Sequence, residues 1–110
     1  MKIYYGKAIY DNKEISAATK VLKKKSLRLI DGSSVKQLEK KFAALFGKKY
    51  ALMVNSGSSA NLIGLASFNF DKDSEIITPS LTFSTTVAPI YQLGLIPHFI
   101  DVEENFFTAK

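Results

Sequence analysis

The 110-residue chain has no cysteine and no tryptophan, a single histidine and only three prolines. Without cysteine, this stretch can form no disulfide and no thiolate metal site. His98 stands alone, with no companion ligands at metal-binding spacing, and a lone strand histidine is read as structural rather than catalytic. No apolar run approaches the roughly 18 residues that a membrane-spanning helix needs. The opening "MKIYYGKAIYD" lacks the apolar core of a signal peptide, so a cytoplasmic protein is expected. Internal repeats and low-complexity segments are also missing.

What is present is ordinary for a folded protein. Hydrophobic residues make up 46% of the chain and charged residues 23%, which argues against disorder. The length suits one small domain with a modest core. The net charge of +5 is unevenly placed: 13 of the 15 Lys and Arg fall in residues 1–50, against 4 of the 10 Asp and Glu. Such asymmetry can mark nucleic-acid binding. However, "KVLKKKSLR" has no interleaved aromatics for base stacking, and most lysines fall on the outer faces of two predicted helices. A solvated helix face is the favoured reading, and attraction of a phosphorylated small substrate fits the same charges.

Residues 1–10 are expected to be extended. Asp11, with Glu14 three positions on, forms a capping-box signature. It opens a helix over 11–25, with Ile15, Ala18, Val21 and Leu22 on one face. Ser34 can cap a second helix over 34–46, which Gly47 would end. Both are amphipathic and should cover a larger body. From Tyr50 the texture changes. "YALMV" has the continuous apolar pattern of a strand buried on both faces, expected near 50–55. "EIITP" predicts a strand near 75–79, and "IPHFID" another near 96–101. Between them, "SANLIGLASF" is apolar nearly all round and predicts a buried helix, "DKDS" a loop, and Ser84–Leu93 a third buried helix with Pro89 inside it and Gly94 at its end. Alternating strands and helices argue for an α/β protein with a mostly parallel sheet. Three short strands would leave open edges, and "ENFFTAK" shows no terminating element. The chain is therefore expected to be the opening portion of a larger domain.

The segment "NSGSSANL", Asn55 to Leu62, joins a predicted strand to a predicted helix. Unpaired N–H groups at a helix start, with the helix dipole behind them, favour an anion. Gly57 permits a tight turn and close approach of a ligand to the backbone. Ser58 and Ser59 add hydroxyl donors and can cap the helix. A phosphate monoester would fit, and an ordinary Ser-capped helix explains the same letters equally well. A P-loop is excluded because no Gly-Lys-Ser/Thr follows. A dinucleotide fingerprint is excluded because it needs three glycines, and a nucleophile elbow because no serine is flanked by glycines two residues away on both sides. Phe83 falls just beyond the second strand, where α/β folds gather ligands. It is either core or a cover for a planar ring. Together, a phosphate cradle and a ring-stacking residue would suit a planar heteroaromatic phosphate such as pyridoxal 5'-phosphate (PLP).

"NSGSSANL", "EIITPSLTFSTTVAPI" and "GLIPHFIDVE", preceded by "YYGKAIYDNKEI" and "VKQLEKKFAALFGKKYALMVNSG", resemble the DegT-type (StrS-like) nucleotide-sugar aminotransferase family of fold-type-I PLP enzymes. The motifs cover nearly the whole chain in the family's order and spacing. The resemblance implies the N-terminal part of an aspartate-aminotransferase-like large domain, whose mostly parallel sheet has seven strands and is followed by a smaller C-terminal domain. Gly57, Ser58 and Ser59 then match the segment that binds the cofactor phosphate, and Phe83 the aromatic that stacks on the pyridine ring. The acidic partner of the ring nitrogen and the Schiff-base lysine would lie beyond residue 110, so no catalytic residue is expected within the chain. The resemblance further implies PLP as cofactor, a nucleotide-linked keto sugar as substrate, glutamate as a common amino donor, and a homodimer serving lipopolysaccharide, other glycan or antibiotic sugar pathways. An aminotransferase is expected first. The related PLP/PMP-dependent sugar 3-dehydratases, which replace the Schiff-base lysine with histidine, share "SGSSAN" and "STTVAPIYQLGLIP". A non-catalytic α/β anion-binding module is the rival from another class.

Overall fold

A computed structural model describes residues 3–24, 29–30 and 32–109. The chain divides into two compact units, Met1–Leu52 and Met53–Lys110.

The first unit contains two helices. Helix α1 spans Asn12–Lys23 and starts as its sequence requires. The Asp11 carboxylate accepts from the Lys13 amide at 2.6 Å, and the Glu14 carboxylate accepts from the Asp11 amide at 2.8 Å, completing a capping box. Residue 25, the last of the expected helix, lies outside the described residues. Helix α2 spans Ser33–Leu45, one residue ahead of the expected 34–46. Its N-cap is Gly32 rather than Ser34, because Ser34 is already helical and only an extended residue can cap. Its far end follows expectation. Gly47 adopts φ +61°, its amide donates to Ala44, and the Lys48 amide donates to Ala43 at 2.8 Å. These two bonds form a Schellman motif, which needs a left-handed residue at the position Gly47 fills. The apolar stripes remain largely uncovered: α1 has no buried residue, and α2 buries only Ala43.

The second unit contains helix α3 (Gly57–Ala66), strand β1 (Glu75–Pro79), helix α4 (Ser84–Gln92) and strand β2 (Ile96–Ile100). The two strands pair in parallel, with Glu75 opposite Ile96 and Pro79 opposite Ile100. This β–α–β order explains α4, since parallel neighbours require a crossover. Helix α4 packs on both strands, and α3 packs on α4. The small core sits under α4. Ile90 is 2% exposed and Leu95 5%, and they are brought together by a second Schellman ending in which Gly94 takes φ +70° and the Leu95 amide donates to Ile90 at 2.9 Å. The "DKDS" loop is tied by the Ser74 hydroxyl, which donates to the Asp71 carbonyl at 2.6 Å.

Three expectations need correction. Residues 50–55 form no strand, and Leu52 and Met53 are exposed rather than buried on both faces. A strand needs a hydrogen-bonded neighbour, and among the described residues β1 and β2 form the one sheet, which does not include 50–55. Helix α3 is apolar, yet none of its residues is buried, because α4 is the one element packed on it among the described residues. The C-terminal stretch also has a structure of its own. Val102 and Ala109 form an antiparallel bridge, and Phe107, at φ +54°, donates its amide to Glu103 at 2.8 Å. Among the described residues, no helix is long and apolar enough to cross a membrane.

Candidate cofactor-phosphate site

The site is built at the first turn of α3. Ser56 has an extended backbone, φ −159° and ψ 160°, and is the N-cap. Its Oγ accepts from the Ser59 amide at 3.1 Å and donates to Ser59 Oγ at 3.1 Å. The Ala60 amide donates to the Ser56 carbonyl at 3.0 Å and starts the helical ladder. The cap is thus Ser56, and Ser58 and Ser59 cannot serve as caps because they already have helical backbone. This residue was not singled out from the sequence, although a serine immediately before the first helical residue is the standard signal.

These bonds determine what is left for a ligand. The amides of Gly57 and Ser58 occupy the first two helical positions, which have no intrahelical acceptor. The Ser58 hydroxyl and the hydroxyl hydrogen of Ser59 complete a group of four donors at the positive end of the helix dipole. Gly57 and Ser58 are exposed, and a Cβ built on Gly57 would meet nothing within 4 Å. Gly57 is helical and does not use a left-handed conformation, so the expected tight turn is absent. What glycine contributes is an uncovered backbone that a bulky anion can approach. This donor set suits a phosphate group.

Phe83 is the N-cap of α4, with φ −75° and ψ 141°, and its carbonyl accepts from the Thr86 amide at 2.9 Å. Its side chain is 70% exposed, which removes the core explanation for it within this chain. The packing of α3 on α4 brings the helix that carries the donors against the helix that Phe83 caps. A direct link joins them: Asn61 Nδ2 donates to the Thr85 carbonyl at 3.4 Å. Below this link lies an open cleft of about 190 Å³, lined by Asn61, Leu65, Thr78, Thr86 and Pro89 among others. Thr78, 3% exposed, has no hydrogen-bond partner for its hydroxyl there.

His98 lies on the exposed face of β2, with Nδ1 3.6 Å from a carboxylate oxygen of the equally exposed Glu75. It lies on the strand where the sequence placed it, and its side chain is exposed. No group of three or more His, Cys, Asp or Glu able to hold a metal occurs among the described residues.

Fold and site together define an α/β segment with open donors at one helix start and an aromatic N-cap at the next. The profile of the DegT/DnrJ/EryC1/StrS aminotransferase family matches residues 8–110, and the chain belongs to that family. It is 40% identical over 102 residues to the GDP-4-keto-6-deoxy-D-mannose 3-dehydratase of Yersinia pseudotuberculosis, an alignment covering 87% of this chain and 25% of the relative. It superposes on the Escherichia coli GDP-4-keto-6-deoxy-D-mannose-3-dehydratase with bound hydrated PLP at a TM-score of 0.85 and 38% identity, over 94% of this chain and 28% of that one. An aminotransferase from Psychrobacter cryohalolentis matches at a TM-score of 0.78 and 26% identity, over 87% of this chain and 24% of that one. The chain spans about a quarter of the length of these proteins.

Proposed function

We propose that residues 1–110 form the N-terminal part of the PLP-binding large domain of an enzyme acting on a nucleotide-linked keto sugar. The observation that carries this is the set of open donors on Gly57, Ser58 and Ser59, on a helix packed against the one capped by Phe83. In this role the Gly57 and Ser58 amides and the two serine hydroxyls hold the cofactor phosphate, and the Phe83 ring covers the pyridine face. PLP, once bound, supplies an electron sink for cleavage next to the amino-bearing carbon. The residues here contribute anchorage and orientation. Holding the ring plane fixes which substrate bond stands perpendicular to it, and such orientation contributes several kcal/mol in well-ordered reactions, on the order of 7–11 at most. Proton transfer, by the lysine or histidine that engages the cofactor, is assigned to residues outside this chain.

For the reaction itself, the family allows two outcomes. The sequence motifs are shared by both, and an aminotransferase is expected first only as the commoner type. Among solved structures, 38% identity to a 3-dehydratase against 26% to an aminotransferase moves the proposal to removal of the C3 hydroxyl from a GDP- or dTDP-linked 4-keto sugar. Amination of the keto sugar is the second reading, supported by the family description. Glutamate as amino donor, a cytoplasmic homodimer and a place in lipopolysaccharide or related glycan synthesis belong to the same proposal. The complete protein, incubated with PLP, glutamate and GDP-4-keto-6-deoxymannose, should return a sugar lacking the C3 hydroxyl by mass spectrometry. A stable amino sugar would establish the second reading, and an unchanged substrate together with failure to bind PLP would overturn both.

A further inference from the structure

Helix α4 contains a proline that its sequence neighbours do not explain. In a regular helix the carbonyl of Thr85 would accept from the amide of residue 89. That residue is Pro89, which has no amide hydrogen, so this ladder bond cannot form. Pro89 is nonetheless buried and helical. A donor from another helix reaches the Thr85 carbonyl: the side-chain amide of Asn61, at 3.4 Å. Asn61 lies in the second turn of α3, one turn on from the Gly57–Ser59 donors, while Thr85 lies in the first turn of α4, two residues after Phe83.

We propose that Asn61 is a positioning residue. By filling the carbonyl that Pro89 leaves open, it fixes the phosphate-binding turn of α3 relative to the Phe83-capped turn of α4. The proline creates a specific acceptor, and the asparagine makes that acceptor a joint between the two halves of the site. A leucine of similar size at 61 would keep the packing and remove the donor. The cofactor half of this inference rests on the proposed PLP function, whereas the joint itself does not.

The test uses the complete protein and two readouts. Hydrogen exchange of the 84–92 segment, without cofactor, reports the joint. Asn61→Leu should raise exchange there about twofold, the low end for one neutral hydrogen bond, because 3.4 Å is long for such a contact. In a Pro89→Ala background, where residue 89 regains its own donor, the same substitution should have little effect. Equal effects in both backgrounds would overturn the joint. The second readout is PLP affinity. Asn61→Leu should weaken it several-fold in the wild-type background and scarcely at all in a Phe83→Ala background, since the joint acts by placing that ring. Additive losses would mean that Asn61 contributes stability only, and overturn its positioning role. Normal exchange coupling in a protein that binds no PLP would uphold the joint and sink the cofactor reading.

Discussion

Ser56 Oγ accepts the amide of Ser59 at 3.1 Å, so one of the three amides in the first turn of α3 is already used by the protein itself. The amides left for a ligand are those of Gly57 and Ser58. The cap and the cradle are therefore separable. Ser56→Ala should remove the cap at about 1 kcal/mol, within the usual range of roughly 0.5–2 for such a loss. The first-turn amides of α3 should then exchange faster, as hydrogen-exchange mass spectrometry can measure. Unchanged exchange would remove Ser56 from the cap.

Phe83 is exposed and holds α4 by its backbone, not its ring. Phe83→Ala should consequently leave the melting temperature nearly unchanged. If the ring stacks on the cofactor, PLP should bind several-fold to about tenfold more weakly, matching roughly 0.5–1.5 kcal/mol for an aromatic pair. Phe83→Tyr should bind nearly as the wild type. Fluorescence titration with PLP distinguishes these outcomes, and equal affinity in the alanine variant would end the stacking role.

Gly47 and Gly94 end their helices in the left-handed region, at φ +61° and +70°. A Cβ has open space at Gly47 and only an ordinary 3.7 Å contact with Lys72 at Gly94. The cost of alanine at either position is thus backbone strain rather than a clash, about 1–2 kcal/mol. The urea midpoint should fall for both variants by similar amounts. Gly57→Ala, by contrast, is helical and unstrained, and should leave stability unchanged or slightly improved.

The 110-residue span on its own should show neither amination nor dehydration of a keto sugar, because the expected lysine or histidine that engages the cofactor is assigned beyond it. Coupled detection of 2-oxoglutarate formed from glutamate is a suitable assay. Turnover by this span would relocate the catalytic residues into it.

Much of the local structure was legible in the sequence because local chemistry decides it. Asp11 with Glu14 starts a helix, and Gly47 and Gly94 stop two others, through contacts within a few residues. The strands near 75–79 and 96–101 were legible as apolar runs, and the helix between them supplies the crossover that their parallel pairing requires. The segment 50–55 departs from expectation because apolar continuity signals burial but names no partner, and strand formation depends on one. The cap falls on Ser56 rather than the expected Ser58 or Ser59 because three serines in four residues compete, and only backbone geometry decides which is extended. The Asn61–Thr85 link was not legible at all. It joins residues 24 apart, and its acceptor exists only because of a proline four residues further on.

The central claim is that the first turn of α3 binds the phosphate of PLP, and Ser58→Asp in the complete protein tests it most directly. An aspartate in the first turn suits the helix dipole, so stability should hold. The new carboxylate would face the cofactor phosphate where the wild type offers two amides and two hydroxyls. Equilibrium titration, followed by cofactor absorbance, should show PLP binding to the wild type and at least tenfold weaker binding to the variant. Equal affinity in the two proteins would contradict the account.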